Sequence, residues 1–85
     1  MEKFRYEIKN TVGIHTNSAG QLAREAGEFE CRTTLRKEDK MADLTKDTSI
    51  MGLGVKCGDV VTVTTEGADE VAAATSLAAF FNQNL

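Results

Sequence analysis

No stretch of this sequence approaches the roughly 20 consecutive apolar residues that a membrane-spanning helix needs. The first six residues are charged and strand-like, which excludes the pattern of a signal or transit peptide. We therefore expect a cytoplasmic protein without membrane insertion. The chain has 85 residues, 41% of them hydrophobic and 27% charged, which predicts a single globular domain over residues 1–85.

Cysteine is also scarce. Cys31 and Cys57 lie far apart in the sequence and no histidine stands near either of them, which is a poor pattern for a metal site. Two cysteines are also too few for the disulfide framework of a small secreted domain. We expect both thiols to be reduced, and we expect no metal ion or other cofactor.

Basic and aromatic residues are few. The sequence contains no basic cluster, its net charge is −3 and only 6% of its residues are aromatic. A nucleic-acid interface needs basic residues, commonly with aromatic ones, and a membrane-binding amphipathic helix needs more lysine and arginine than this. Neither kind of partner is expected.

Alternating and β-branched patterns predict four strands. Residues 4–8 alternate between large apolar and charged side chains, which is typical of a strand with one buried face. Residues 31–35 and 41–44 flank a charged tip and predict a hairpin. The β-branched run 60–65 is the strongest strand signal and predicts a central strand.

Helical spacing of apolar residues predicts three helices. The first covers residues 19–26, with Ser18 or Thr16 as its N-terminal cap. A short second helix lies between residues 45 and 54. Its candidate caps are Asp47, Thr48 and Ser49. The third begins in segment 67–70, and its predicted apolar stripe consists of Val71, Ala74, Leu77, Ala78 and Phe81. This order of elements predicts an open-faced α+β sandwich, in which helices cover one face of a sheet.

His15 is the only histidine, and it stands where the first strand gives way to the first helix. A helix start offers unpaired N–H groups and a positive dipole end, so it can hold an anion. An imidazole that is partly neutral near pH 7 is also a nucleophile. From the residues alone two interpretations stay open: a phosphorylatable histidine, or a histidine that only caps or packs at the helix end, since no acid–base partner can be identified nearby.

The chain resembles the HPr family, the histidine-containing phosphocarriers of the bacterial sugar phosphotransferase system. The resemblance spans nearly the whole length, and its anchors keep the family's spacing without a gap. These anchors are Gly13-Ile14-His15, Ala19 with the helix after it, Asp43-Leu44, Leu53-Gly54-Val55 and Gly67-Ala68-Asp69-Glu70. The resemblance implies a four-stranded antiparallel sheet covered on one face by three helices, in the order βαββαβα.

The resemblance also implies a function. His15 would accept a phosphoryl group on its Nδ1 atom from phosphorylated enzyme I and pass it to the A components of sugar permeases. The protein would be a phosphoryl carrier that acts as a monomer through transient protein contacts, and not an enzyme that turns over a small substrate. Arg24 and Met51, and with them Lys56, are the candidate partner contacts.

Three features depart from the family pattern. Where the family has alanine, arginine and proline after its histidine, this chain has Thr16, Asn17 and Ser18. An arginine gives a phosphate a charge-assisted hydrogen bond of ~1.5–3 kcal/mol and an asparagine a neutral one of ~1 kcal/mol, so we expect slower transfer. Thr16, Asn17 and Ser18 are candidate phosphate-supporting residues, and helix capping is the alternative role for their side chains.

The second and third departures concern regulation and docking. In the gapless alignment Lys46 replaces the serine that many Gram-positive members phosphorylate, and Asp47 and Thr48 replace an apolar docking pair. In a register shifted by three residues, Ser49 becomes the regulatory site. A regulatory adaptor that binds partner proteins without efficient phosphotransfer is therefore the alternative function. An independent small enzyme is disfavoured because no nucleophile–base–orienter set can be recognised.

Overall fold

Four antiparallel strands form one sheet in the computed structural model, which describes residues 1–85. The strands are β1 (Glu2–Glu7), β2 (Arg32–Lys37), β3 (Lys40–Asp43) and β4 (Val60–Glu66), and the helices are α1 (Thr16–Ala26), α2 (Asp47–Gly52) and α3 (Glu70–Asn84). The strand order β1-β4-β2-β3 places β4 between β1 and β2, as its β-branched sequence predicted. The predicted α+β fold and the element order βαββαβα are confirmed.

The period-two pattern of the strands separates the two faces of the sheet. Val61, Val63 and Leu35 are fully buried and point toward the helices. Val63 lies opposite both Phe4 of β1 and Leu35 of β2, so the core side chains of three strands form one row. The other face carries charged and threonine side chains and is not covered by a helix.

The last helix closes the core with Phe81, which is completely buried. Its ring packs edge-to-face against Phe4 and Tyr6, with ring centroids 5.9 and 5.5 Å apart.

The predicted apolar stripe of α3 was wrong at Val71, which is 61% exposed. The buried side chains are Ala73, Leu77 and Phe81, four residues apart, because this row faces β1 and β4 and leaves Val71 on the outer side.

Both shorter helices begin earlier than their cap residues predicted. Helix α1 starts at Thr16 with His15 at the N-cap position, so neither Ser18 nor Thr16 is the cap. Helix α2 has Lys46 at its N-cap position, in place of the three predicted caps. The extended Lys46 accepts a hydrogen bond from the Ile50 amide at 3.1 Å, and this turn places Ile50 in the core. Packing of the helix against the core therefore overrides local capping preference.

The two cysteines do not form a disulfide with each other; Cys31 is buried and Cys57 is exposed. The longest helix, α3, has 15 residues, and none of the helices is long and apolar enough to cross a membrane.

Candidate functional site

The turn between β1 and α1 is held in place by the loop that follows α2. Gly13 has a φ of +68°, in the left-handed region that favours glycine. A Cβ atom on Gly13 would lie 2.4 Å from the carbonyl oxygen of Val55 and 2.7 Å from the Cα of Lys56. The amide of Ile14 donates to the Val55 carbonyl at 3.1 Å. The backbone immediately before His15 is therefore fixed by close contact with a second segment of chain.

His15 connects this turn to the helix through its backbone. It is extended, with φ −121° and ψ −179°, and its carbonyl accepts the Ala19 amide at 2.8 Å. The Ser18 hydroxyl accepts the His15 amide at 3.0 Å and lies 3.1 Å from the His15 carbonyl, to which it can donate. The His15 side chain is partly buried. These hydrogen bonds of the His15 backbone therefore set the direction in which the imidazole projects from the start of α1.

The first turn of α1 is suited to an anion. The amides of Thr16 and Asn17 donate to no backbone carbonyl, as is normal for the first residues of a helix. The first turn contains no acidic side chain, and the helix has 11 residues to contribute to the dipole. Free amides next to an imidazole are an arrangement that stabilises a phosphoryl group on that ring.

The three residues after His15 have different surroundings. Thr16 and Asn17 are exposed on the same turn as His15, and the Asn17 Oδ1 accepts a weak hydrogen bond from Gln21 at 3.4 Å. Ser18 is buried, and its hydroxyl is engaged with the backbone of His15. The structure thus brings Thr16 and Asn17 to the surface beside His15, while the Ser18 side chain points into the turn.

The residues expected to contact partners or to be regulated lie at varying distances from this turn. Arg24 is exposed in the last turn of α1, about 14 Å along the helix from His15, and forms no ion pair. Met51 on α2 is 40% exposed. Lys56 is exposed in the loop that contacts Gly13. Ser49 is partly buried and is the third residue of α2, so it does not stand at the helix start.

Comparison with known proteins identifies this arrangement. A family model described as the phosphorylation site of the HPr component of the phosphotransferase system matches residues 2–83. The chain belongs to the HPr family. The phosphocarrier protein HPr of Mycoplasma genitalium is 34% identical over 85 residues, which are 99% of this chain and 97% of the relative. The HPr-like protein Crh of Halalkalibacterium halodurans is 28% identical over 83 residues, 98% of this chain and 99% of Crh.

Solved HPr structures have the same fold. A histidine-containing phosphocarrier protein from Mycoplasma superposes with a TM-score of 0.94 at 27% identity, over 96% of this chain and 93% of that one. An HPr from Thermoanaerobacter tengcongensis gives a TM-score of 0.93 at 31% identity, over 98% of this chain and 93% of that one. An HPr dimer from the same organism also matches, with a TM-score of 0.78 at 31% identity, over 98% of this chain and 95% of that one. HPr-like chains therefore occur as dimers, and the expectation of a monomer for this chain stays a prediction.

The contribution of Val55 and Lys56 to this HPr turn was missed by sequence reasoning. Gly13 is predicted from the sequence only as part of an anchor of the family resemblance, whereas in the structure its hydrogen atom faces the backbone of a segment more than 40 residues away. A single glycine two residues before the histidine was the available signal. It indicates a special backbone conformation but does not identify the segment that approaches it.

Proposed function

We propose that His15 is the phosphoryl acceptor of this HPr-family protein, and that it carries the group from phosphorylated enzyme I to the A components of sugar permeases in the cytoplasm. The observation that carries the proposal is the position of His15 at the N-cap of α1, beside two unpaired amides and no acidic side chain. An imidazole nitrogen attacks phosphorus, the new nitrogen–phosphorus bond forms, and the donor's bond to phosphorus breaks.

The three residues after His15 have two different roles. The amides and exposed side chains of Thr16 and Asn17 donate to the phosphoryl oxygens once the group is in place. Ser18 is a positioning residue, because its hydroxyl holds the backbone of His15 rather than the phosphate. With Asn17 in place of the family arginine, the phosphoryl group is held by neutral donors, and we expect slower transfer than in a family member that has the arginine.

Partner proteins dock around the turn and along α1 and α2. Met51 offers exposed apolar surface, while Arg24 and Lys56 offer unpaired positive charge to acidic partners. The α2 helix begins after Lys46, which supports the gapless alignment. In that alignment no serine stands at the regulatory position, and we infer that Ser49 is a structural residue of α2 and not a kinase target.

The alternative is an HPr-like adaptor that binds partners without efficient phosphotransfer. It is favoured by Asp47 and Thr48, which are exposed where the family has an apolar docking pair. Similarity to an HPr-like protein, Crh, is compatible with this alternative but also with a carrier.

Phosphorylation by the cognate enzyme I separates the two functions. The purified protein is incubated with phosphoenolpyruvate and enzyme I from the same organism, and its intact mass is measured before and after acid treatment. We expect an acid-labile gain of one phosphoryl group that is absent in His15→Ala. Asn17→Arg should accelerate the reaction by about 2- to 30-fold, since it replaces a neutral hydrogen bond with a charge-assisted one. No phosphoryl gain in the wild type would exclude the carrier and leave the adaptor.

A further inference from the structure

A lysine at the end of β2 holds the loop that contacts the turn before His15. The Lys37 Nζ lies 2.9 Å from the Asp59 Oδ2 and donates to the Gly54 carbonyl at 3.0 Å. We call Lys37 and Asp59 the loop pair. No other two side chains in the molecule form an ion pair. The two side chains are 20% and 30% exposed, and salt screens a partly buried pair less than an exposed one.

The two contacts of Lys37 bridge the ends of one segment of chain. Gly54 precedes this segment, residues 55–58, and Asp59 follows it. The Gly54 carbonyl accepts no backbone amide, so Lys37 is its only hydrogen-bond donor. The hydrogen bond from Lys37, followed by that from the Lys56 amide, holds the pKa of the Asp59 carboxyl below its usual range. The carboxylate is therefore charged at neutral pH.

The peptide group between Val55 and Lys56 connects the loop pair to the turn before His15. Its N–H donates to the Asp59 Oδ2 at 2.8 Å, and its C=O accepts the Ile14 amide at 3.1 Å. Because a peptide group is planar, the carboxylate that orients the N–H also orients the C=O. His15 follows Ile14 directly in the chain. The loop pair therefore acts on the backbone from which the imidazole projects.

We infer that Lys37 and Asp59 are positioning residues for phosphoryl transfer at His15. This inference rests on the proposed function, in which His15 is the phosphoryl acceptor. Transfer requires the attacking nitrogen to lie in line with phosphorus and the leaving group, and a displacement of about 1 Å can slow a reaction about 100-fold. The loop pair acts through the backbone of the loop and needs no contact with the phosphoryl group.

Loss of the loop pair should affect the rate of transfer more than the binding of partners or the stability of the fold. Lys37 lies in β2 and Asp59 lies directly before β4, so neither belongs to α1 or α2, where partners dock. The backbone of Asp59 is held independently of Lys37, because its carbonyl accepts the Ile8 amide at 2.9 Å. Without Lys37 the carboxylate would be released, while the end of the loop would stay attached to β1.

The test compares three variants. Lys37→Met removes the ammonium group, and Lys37→Arg restores a charged donor to the carboxylate. The matched control is Lys40→Met, which removes the same charge from the same hairpin. Lys40 lies opposite Lys37 in the strand register, is exposed and forms no ion pair.

The first measurement is amide hydrogen exchange by NMR on the unphosphorylated proteins. We expect Lys37→Met to speed exchange of the Ile14 amide at least about tenfold relative to the amides of β4, because this amide donates to the Val55 carbonyl. Lys37→Arg and Lys40→Met should change it less than about twofold. An equal increase at Ile14 and throughout β4 would indicate general destabilisation and would overturn the inference, as would an unchanged Ile14 amide.

The second measurement is single-turnover transfer from phosphorylated enzyme I at several concentrations. Lys37→Met should lower the maximal rate constant at least about tenfold and change the half-saturating concentration less than about twofold. Lys37→Arg should recover most of the rate. An effect of Lys40→Met as large as that of Lys37→Met, or a change in the half-saturating concentration alone, would overturn the inference. Absence of phosphorylation in the wild type would refute the proposed function, whereas the exchange of Ile14 would still confirm or refute the action of the loop pair on the turn.

Discussion

Replacing Gly13 with alanine should destabilise the protein through the turn that supports His15. The substitution has two costs. An L-residue at a φ of +68° adopts the left-handed conformation, which costs about 1–2 kcal/mol. The new Cβ would also lie 2.4 Å from the Val55 carbonyl oxygen, so backbone must move on one side of the contact.

Alanine substitutions at two other glycines allow the two costs to be measured separately. Gly54 has a φ of +63° but no heavy atom within 4 Å of its Cβ position, so Gly54→Ala has only the conformational cost of about 1–2 kcal/mol. Overpacking adds about 1–3 kcal/mol at Gly13, for a total of about 2–5 kcal/mol. Gly20 lies inside α1 with open space around it, so Gly20→Ala should stabilise by about 0.5–1 kcal/mol. A domain of this length has a total stability of about 4–13 kcal/mol.

Urea unfolding followed by far-ultraviolet circular dichroism measures all three variants against the wild type. From most to least stable, the expected order is Gly20→Ala, wild type, Gly54→Ala and Gly13→Ala. The slope of the free energy of unfolding against urea concentration should be the same for all four proteins. Gly13→Ala should also slow phosphorylation of His15 under conditions in which the variant is folded. Equal stability of Gly13→Ala and Gly54→Ala would show that the contact with Val55 and Lys56 does not constrain the turn.

Three further results are expected. Phe81→Ala should lower the free energy of unfolding by about 3–5 kcal/mol in urea, because its ring is fully buried between Phe4 and Tyr6, and a loss below about 1 kcal/mol would contradict the assigned core. The amides of Glu30 and Cys31 donate to Asp69 and hold the pKa of its carboxyl below its usual range. The stabilisation is therefore complete above the unfolded-state pKa of about 3.9 and is lost as the pH falls through the lower folded-state pKa. Asp69→Asn should be less stable than wild type at pH 7 and should lose less stability between about pH 5 and pH 2, whereas parallel pH profiles of the two proteins would exclude this role. Burial, followed by the neighbouring Asp69, raises the pKa of the Cys31 thiol to about 11, so iodoacetamide at pH 8 should modify the exposed Cys57 alone, and a second adduct on the native protein would show that Cys31 is accessible.

Much of the fold can be predicted from the sequence because its signals are local. Alternation in residues 4–8 and the β-branched run 60–65 specify strands whose inward positions fill the core. The start of α1 next to His15 was predicted as a region, since a strand pattern and a helix pattern meet there. The exact cap residues were not predicted. Packing against the core, and not the capping propensities of the residues, sets the positions of Ser18 and Lys46 in their helices.

Local patterns in the sequence predict the types of the strands and helices, and the resemblance to HPr points to the residue on which the proposed chemistry depends. Only the tertiary structure showed that Gly13 contacts the backbone of Val55 and Lys56, because that contact joins segments far apart in the chain. Pairing of β1 and β2 with β4 likewise gathers on one face of the sheet charged side chains that are separated along the sequence. Local interactions fix each strand and helix, whereas close approach and charge density depend on which segments pack together.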